Sequence, residues 1–287
     1  MRKPLALLLT LAAVLAVLYL AALGWLWLRQ EKILFQPQVL PADHRFAFGA
    51  DVRERTLEVP GATLSALHLK LPQPRGLVFF LHGNAGSLDS WFVNTDFYRQ
   101  AGWDLFMLDY RGYGKSTGRI ESEAQLHADV AAAWARIAPE YRGLPIIIYG
   151  RSLGTGLAAA LAAREKPALT VLVAPYAGMV RLLGEHYPLV PGALLRYRLD
   201  TAAAVARLES PLLLIHGERD TLIAPAHSEA LLERAAPAAR ARLLRMPDAA
   251  HNDVHQFPLY RQRLREAMDA AATATPIAPT TKNGPPT

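Results

Sequence analysis

Apolar residues are spaced in different ways along this chain, and each spacing predicts a different element. From Leu5 to Leu28 the run LALLLTLAAVLAVLYLAALGWLWL carries no charge, and only Thr10 and Gly24 interrupt it with a polar or small residue. As a helix rising about 1.5 Å per residue it reaches roughly 36 Å, enough to cross a hydrocarbon core of about 30 Å with some tilt. A cleaved signal peptide has an apolar stretch of only about 7–15 residues. This run continues through Trp25 and Trp27, so an uncleaved transmembrane anchor is expected, with the tryptophan pair, and Tyr19 further in, suited to an interfacial belt near the exit of the span.

Further along, apolar or alternating runs recur at Val52–Val59, Thr63–Lys70, Gly76–Leu81, Trp103–Leu108, Pro145–Tyr149, Leu169–Ala174, Pro211–Ile215 and Arg242–Met246. These read as eight strands. Val52–Val59 alternates as an antiparallel edge strand does, whereas the runs from Gly76 onward are continuously apolar, as in parallel strands covered on both faces. Helical spacing falls between them. Leu126, Val130, Trp134 and Ile137 follow a candidate capping box at Ser122 and Gln125, and Ala224–Ala236 and Asp253–Ala270 supply later helices. An antiparallel start followed by strand–helix units predicts an α/β fold with a mainly parallel, eight-stranded sheet flanked by helices.

The expected organisation is a basic flank (1–4), the anchor (5–28), a connector (29–50), one catalytic α/β domain (51–270) and a disordered Thr-, Pro- and Ala-rich tail (271–287). With 287 residues, 52% apolar and 20% charged, the chain is able to bury one large core. It has no cysteine, which excludes disulfides, thiolate metal sites and a cysteine nucleophile. The formal charge of +6 is scattered and forms no long run, so nucleic acid is not an expected partner; a solvated surface is the plain reading, with attraction to anionic lipid as a secondary one. Three basic groups (the amino terminus, Arg2 and Lys3) precede the anchor and two (Arg29 and Lys32) follow it. That bias leans toward an inside N-terminus and an extracytoplasmic catalytic domain, periplasmic in a bacterium.

Gly150-Arg151-Ser152-Leu153-Gly154 lies between the strand-like PIIIYG and the helix-like LGTGLAAALAARE, the context that a G-x-S-x-G nucleophile elbow requires. A serine hydroxyl is a weak nucleophile until a base takes its proton, and a carboxylate must orient that base. Asp220, closing LLLIHGERD, and His251, in MPDAAHND, both follow predicted strands and so fall at the carboxyl edge of the sheet, where sites in open α/β sheets form. Asp248 is the rival orienting acid. Asp109 and His82 read as loop-holding residues, His216 as packed or locally hydrogen-bonded, and His227 and His255 as surface or packing residues on helices. The oxyanion that forms during attack needs preorganised N–H donors, expected from Leu153 and from Asn84 in HGNAG.

Two further patterns fail. Gly114-Lys115-Ser116 would end a P-loop only with glycine where Asp109 stands. Gly154-Thr155-Gly156-Leu157-Ala158-Ala159 matches a dinucleotide pattern but sits mid-sheet with no acid near Ala174–Tyr176 for a ribose. No His/Asp/Glu cluster has metal-ligand spacing, and neither a metal nor a cofactor is expected.

The segments LHGNAGS, DYRGYGKSTG, YGRSLGTG, LLLIHGERDTLI and AHND, in that order across Gly76–Asp253, resemble the α/β-hydrolase superfamily. Within it they resemble the branch of Bem46-like proteins and α/β-hydrolase domain-containing proteins 12, 13 and 17. The resemblance implies Ser152, Asp220 and His251 as catalytic triad, with Asn84 and Leu153 as oxyanion donors. It also implies a membrane segment and action on acyl esters or thioesters of lipids or lipidated proteins. Thr155 departs from the glycine usual there, which should alter packing more than catalysis. Between Pro175 and Leu208 there is room for a small cap. Its Tyr176, Met179, Leu182, Leu183, Tyr187, Leu189 and Val190 read either as an apolar acyl pocket near the membrane, with Tyr176, Met179, Leu183 and Tyr187 against substrate, or as a cap packed on the core. A peptidase or amidase of the same fold, for which Glu185 would be the amine-binding carboxylate, and a catalytically silent membrane-tethered binding protein remain the alternatives.

Overall fold

The computed structural model describes Arg2–Thr273. Its centre is one eight-stranded sheet built from β1 (Val52–Val59), β2 (Ala62–Leu69), β3 (Leu77–Leu81), β4 (Asp104–Leu108), β5 (Ile146–Arg151), β6 (Leu169–Val173), β7 (Leu212–Gly217) and β8 (Arg242–Met246). In space the order is β1-β2-β4-β3-β5-β6-β7-β8. β2 runs antiparallel to both β1 and β4, and all the other neighbours are parallel. The predicted eight strands and mainly parallel sheet are therefore present, each within a few residues of its sequence boundary.

The helices are α1 (Arg2–Leu34), α2 (Leu88–Trp91), α3 (Thr95–Ala101), α4 (Glu123–Ile137), α5 (Gly154–Glu165), α6 (Met179–His186), α7 (Thr201–Val205), α8 (Ala226–Arg234) and α9 (Pro258–Thr273). Alternate residues of the central strands point to opposite faces, which is why continuously apolar strands are needed. Phe79, Leu81, Phe106 and Ile148 pack on one face with Val130 and Trp134 of α4 and Leu157 of α5. Val78, Phe80, Met107 and Tyr149 pack on the other with Tyr98 of α3 and Tyr260, Leu264 and Met268 of α9. Burying each such large side chain contributes about 1.5–3 kcal/mol, so the two layers together supply the main stabilisation of the sheet.

Several local details depart from the sequence expectation. At α4 the Ser122 hydroxyl accepts from the Gln125 amide at 3.1 Å, but the Gln125 side chain reaches the amide of Glu121 rather than that of Ser122. α9 begins at Pro258, not Asp253, because proline lacks an N–H and suits a first helical turn; a short 3-10 turn at Val254–Gln256 precedes it. α9 carries through Thr273, so 271–273 are helical, and the remainder of the expected tail lies outside the described residues. The apolar N-terminal helix runs past Leu28 to Leu34, directly before buried Phe35. Within the connector Gln36–Pro37 pairs in parallel with Ala85–Gly86 of the HGNAG loop.

Candidate active site

β5 lies centrally in the sheet, and its last residue, Arg151, still pairs with Val173 of β6. The chain then turns sharply into α5 with Ser152 at φ +51°, a left-handed conformation that costs a non-glycine residue energy. The turn is possible only with glycine two residues away on either side. A Cβ at Gly150 would strike the Gly154 carbonyl and Ala158, and one at Gly154 would strike the carbonyls of Leu81 and His82. Thr155 has a local job that glycine lacks the atoms for: its hydroxyl donates to the Ser152 carbonyl at 2.7 Å.

Loops at the carboxyl ends of β7 and β8 bring Asp220 and His251 to this turn. Ser152 Oγ is 2.9 Å from His251 Nε2, and His251 Nδ1 is 2.7 Å from Asp220 Oδ2. With the proton on Nδ1, the imidazole donates to Asp220 and leaves Nε2 free to accept from the serine hydroxyl; this tautomer follows from the hydrogen-bond network. Asp220 Oδ1 accepts the amides of Leu222 and Ile223 at 2.9 and 2.8 Å. Its Oδ2 also faces His216 Nε2 at 3.2 Å. Burial works to raise the Asp220 pKa, but the hydrogen bonds from His216, His251 and the Ile223 amide outweigh it, and the carboxyl is held well below the usual carboxylate range.

His216 has a larger part in this arrangement than the local hydrogen bond expected of it. Its Nε2 also meets the Ile223 carbonyl at 2.8 Å, and its Nδ1 meets Ser228 Oγ at 2.6 Å, so helix α8 buttresses the loop that holds Asp220. Arg151, an unspecified position of G-x-S-x-G, donates to the Asn252 carbonyl at 2.8 Å and faces His255 Nδ1 at 3.1 Å. Asp248, the rival acid, is exposed and pairs with Arg219 at 2.6 Å. His227 is buried between the Ala177 amide and Glu185. His82 is buried against Tyr110, and Asp109 accepts the Leu88 amide at 3.0 Å; both support the HGNAG loop, and burial pushes the Asp109 carboxyl up.

The Asn84 carbonyl accepts from the Gln36 amide at 2.9 Å and the Tyr113 hydroxyl at 2.6 Å. The connector thus fixes the loop that carries the expected oxyanion donor. Among the hydrogen bonds of the described residues, none uses the Asn84 or Leu153 amide as donor. The four cap residues expected near substrate are spread from core to surface. Tyr176 is fully buried and donates to the Leu153 carbonyl at 2.9 Å, Met179 is buried, Leu183 half-buried, and Tyr187 exposed. Tyr176 therefore supports the elbow from below instead of lining a pocket. A cavity of about 370 Å³ lies beside the site on the α3/α9 face, lined by Phe80, Trp91, Arg151, Asn252, His255 and Tyr260. A second, of about 560 Å³, lies between the end of α1 and the Arg111–Glu121 loop. Ser152 lines neither of them.

Sheet order, elbow and loop placement define an α/β hydrolase. The family profile described as serine aminopeptidase, S33, matches residues 72–196, a span that includes Ser152 but ends before Asp220 and His251. The chain is 35% identical over 213 residues to α/β hydrolase domain-containing protein aho-3 of Caenorhabditis elegans, covering 71% of this chain and 60% of that protein. It is 32% identical over 203 residues to human α/β hydrolase domain-containing protein 17B, covering 68% of this chain and 67% of that protein. An esterase of Pyrococcus furiosus shares the fold with a TM-score of 0.64 at 18% identity, over 82% of this chain and 97% of that one. The chain belongs to the family of α/β hydrolase domain-containing proteins, on the branch of the 17-type members. It spans only 60% of the length of the nematode relative.

Proposed function

We propose that the protein is a membrane-anchored serine hydrolase that cleaves acyl ester or thioester bonds of lipid-like or acylated substrates, with no cofactor. The observation that carries this reading is the row Ser152 Oγ, His251 Nε2 at 2.9 Å, His251 Nδ1 and Asp220 Oδ2 at 2.7 Å, set on a strained turn. His251 takes the Ser152 proton as Oγ attacks the carbonyl carbon. The amides of Leu153 and Asn84 hold the oxyanion, and His251 then protonates the leaving alcohol or thiol. Water activated by His251 attacks the acyl-enzyme, releasing the acid and restoring Ser152. α1 is the membrane segment: it has a mean hydropathy of 2.6 in its best stretch, and none of that stretch is buried against the protein. The catalytic domain is proposed to stand outside the cytoplasm.

The test is hydrolysis of p-nitrophenyl esters of graded acyl length by detergent-solubilised protein, with Ser152→Ala and fluorophosphonate labelling in parallel. Turnover and labelling that both vanish in the variant support the reading, and full activity in Ser152→Ala overturns it. Sidedness is read by placing one cysteine in this cysteine-free chain and treating intact cells with a membrane-impermeant maleimide.

The amidase reading keeps a foothold in the match to the serine aminopeptidase family. Against it, the carboxylate that would receive an amine, Glu185, is already engaged by Arg181 at 2.9 Å and His227 at 2.8 Å. Aminoacyl p-nitroanilides hydrolysed faster than esters would reverse that preference.

A further inference from the structure

The cap flanks the second half of the apolar helix and meets it at two heights. Near the end of α1 the contacts are polar. Gln30 Nε2 donates to the Leu194 carbonyl at 2.6 Å and its Oε1 accepts the Arg196 amide at 2.9 Å, while Glu31 pairs with Arg196 at 2.7 Å and accepts from the Tyr197 hydroxyl at 3.0 Å. Eleven residues earlier, within the apolar run, the Tyr19 hydroxyl donates to the Leu189 carbonyl at 2.6 Å. At about 1.5 Å per residue the cap therefore runs roughly 16 Å alongside the helix between these contacts. Leu189 stands level with Tyr19, about 9 Å further into the apolar stretch than Trp25.

The cap segment that does this, Tyr187-Pro188-Leu189-Val190-Pro191-Gly192-Ala193-Leu194-Leu195, contains no charged residue, and the first charge after it is Arg196, at the polar end. Leu189 is 78% exposed and Tyr187 63% exposed, on a segment flanking a helix whose apolar stretch is itself bare. Water is a poor solvent for these exposed apolar side chains, whereas a lipid leaflet covers them. Arg196 over the Trp27 ring, at 5.4 Å, marks the boundary where headgroups would meet the protein.

We propose that Tyr187–Leu195 is a wedge inserted into the same leaflet that α1 enters, with Tyr187 and Leu189 in contact with lipid. The inference rests on the reading of α1 as a membrane segment. The wedge reaches the candidate site through its root: His186 Nε2 donates to the Leu222 carbonyl at 2.8 Å, and the Leu222 amide holds Asp220. Exposed Leu222 extends the apolar surface, so the carboxyl edge of the sheet is held against the bilayer, the phase in which acyl substrates are dissolved.

The absence of cysteine makes the test direct. Full-length protein carrying Leu189→Cys, Val14→Cys or Leu144→Cys is labelled with an environment-sensitive fluorophore and reconstituted into phosphatidylcholine vesicles with or without lipid bearing a nitroxide on its acyl chain. Val14 lies in the middle of α1, and Leu144 at the opposite end of β5 from the site. Quenching at positions 189 and 14 but not at 144 is the expected result. Quenching at 14 alone keeps the membrane segment and overturns the wedge. A blue-shifted but unquenched label at 189 means that protein covers the segment, which also overturns it. Quenching at neither position removes the membrane segment and the wedge together. As a second measurement, Leu189→Asp should hydrolyse a soluble short-chain ester within about two-fold of the original while losing about ten-fold or more on a vesicle-embedded long-chain ester. Equal activity on both substrates overturns the proposal.

Discussion

The guanidinium of Arg151 donates to the backbone carbonyl of Asn252 at 2.8 Å, joining the residue before Ser152 to the residue after His251. β5, which ends in Arg151, and β8, which precedes the loop of Asn252, are three strands apart in the sheet and are not paired. The same side chain lies over Trp91 at 5.3 Å, and Trp91 donates to the Ala85 carbonyl of the HGNAG loop at 2.7 Å. One arginine thus braces the serine turn, the histidine loop and the expected oxyanion loop.

Arg151→Ala should lower kcat on a short ester by about 10²-fold with little change in KM, because small misplacements of reacting groups carry penalties of that order. Arg151→Lys should not restore it, since an ammonium lacks the fork that reaches Asn252 and His255 together. Steady-state kinetics of both variants decide the point: an unchanged kcat in Arg151→Ala would reduce the brace to a packing contact.

Asp220→Asn should reduce kcat by up to about 10⁴-fold, the scale seen when the orienting acid of a serine protease triad is replaced. The variant should also report on stability. A carboxyl whose folded pKa is held low stabilises the fold above its unfolded pKa of about 3.9, and that contribution is lost as pH falls through the folded value. The deficit in Tm of Asp220→Asn at pH 7 should therefore narrow below about pH 4. A deficit independent of pH in thermal melts would show that the charge is not what the lost hydrogen bonds were holding.

His255 titrates in the opposite sense. Burial, followed by the positive charges of Arg151 and Arg261, pushes its pKa down to about 4. Between that value and the ordinary value of about 6.5, the unfolded chain takes up a proton that the folded protein refuses, so stability falls as pH falls through that window. His255→Asn, which retains an acceptor for Arg151, should lose less Tm than the original between pH 7 and pH 4. Equal losses in differential scanning measurements would exclude His255 as the group responsible.

Gly154→Ala should destabilise the protein by about 1–3 kcal/mol or more, because the new methyl meets backbone carbonyls that have no room to move. Gly184→Ala, in the middle of α6 with open space around it, should instead be neutral or stabilising by about 0.5–1 kcal/mol. Denaturant unfolding of the pair tests whether the glycines of the elbow are held by sterics: similar midpoints would show that the turn relaxes.

The sequence by itself determined the sheet. Continuous apolar runs of β-branched and aromatic residues admit one reading when helical periods separate them, and G-x-S-x-G between a strand and a helix specifies a local turn whose sterics are set within five residues. The positions of Ser152, Asp220 and His251 were each legible because every one of them follows a predicted strand within a few residues, which places them on a common edge. Tertiary structure alone decided what depends on residues distant in the chain. Arg151 and His216 stand in motif positions that local pattern leaves free, and their partners, Asn252 and Ser228, lie on other loops and helices. For Tyr176 the sequence leaves pocket and packing readings open, because an aromatic in a cap is apolar wherever it points; only the packing of the cap sets it beneath the elbow. The path of Tyr187–Leu195 along α1 likewise had no sequence signal, since a hydrogen bond between Tyr19 and Leu189 spans 170 residues and arises only when the folded domain sets its cap beside the helix. Local spacing encodes which face of an element is apolar, but which distant groups meet there is settled by the geometry of the folded sheet.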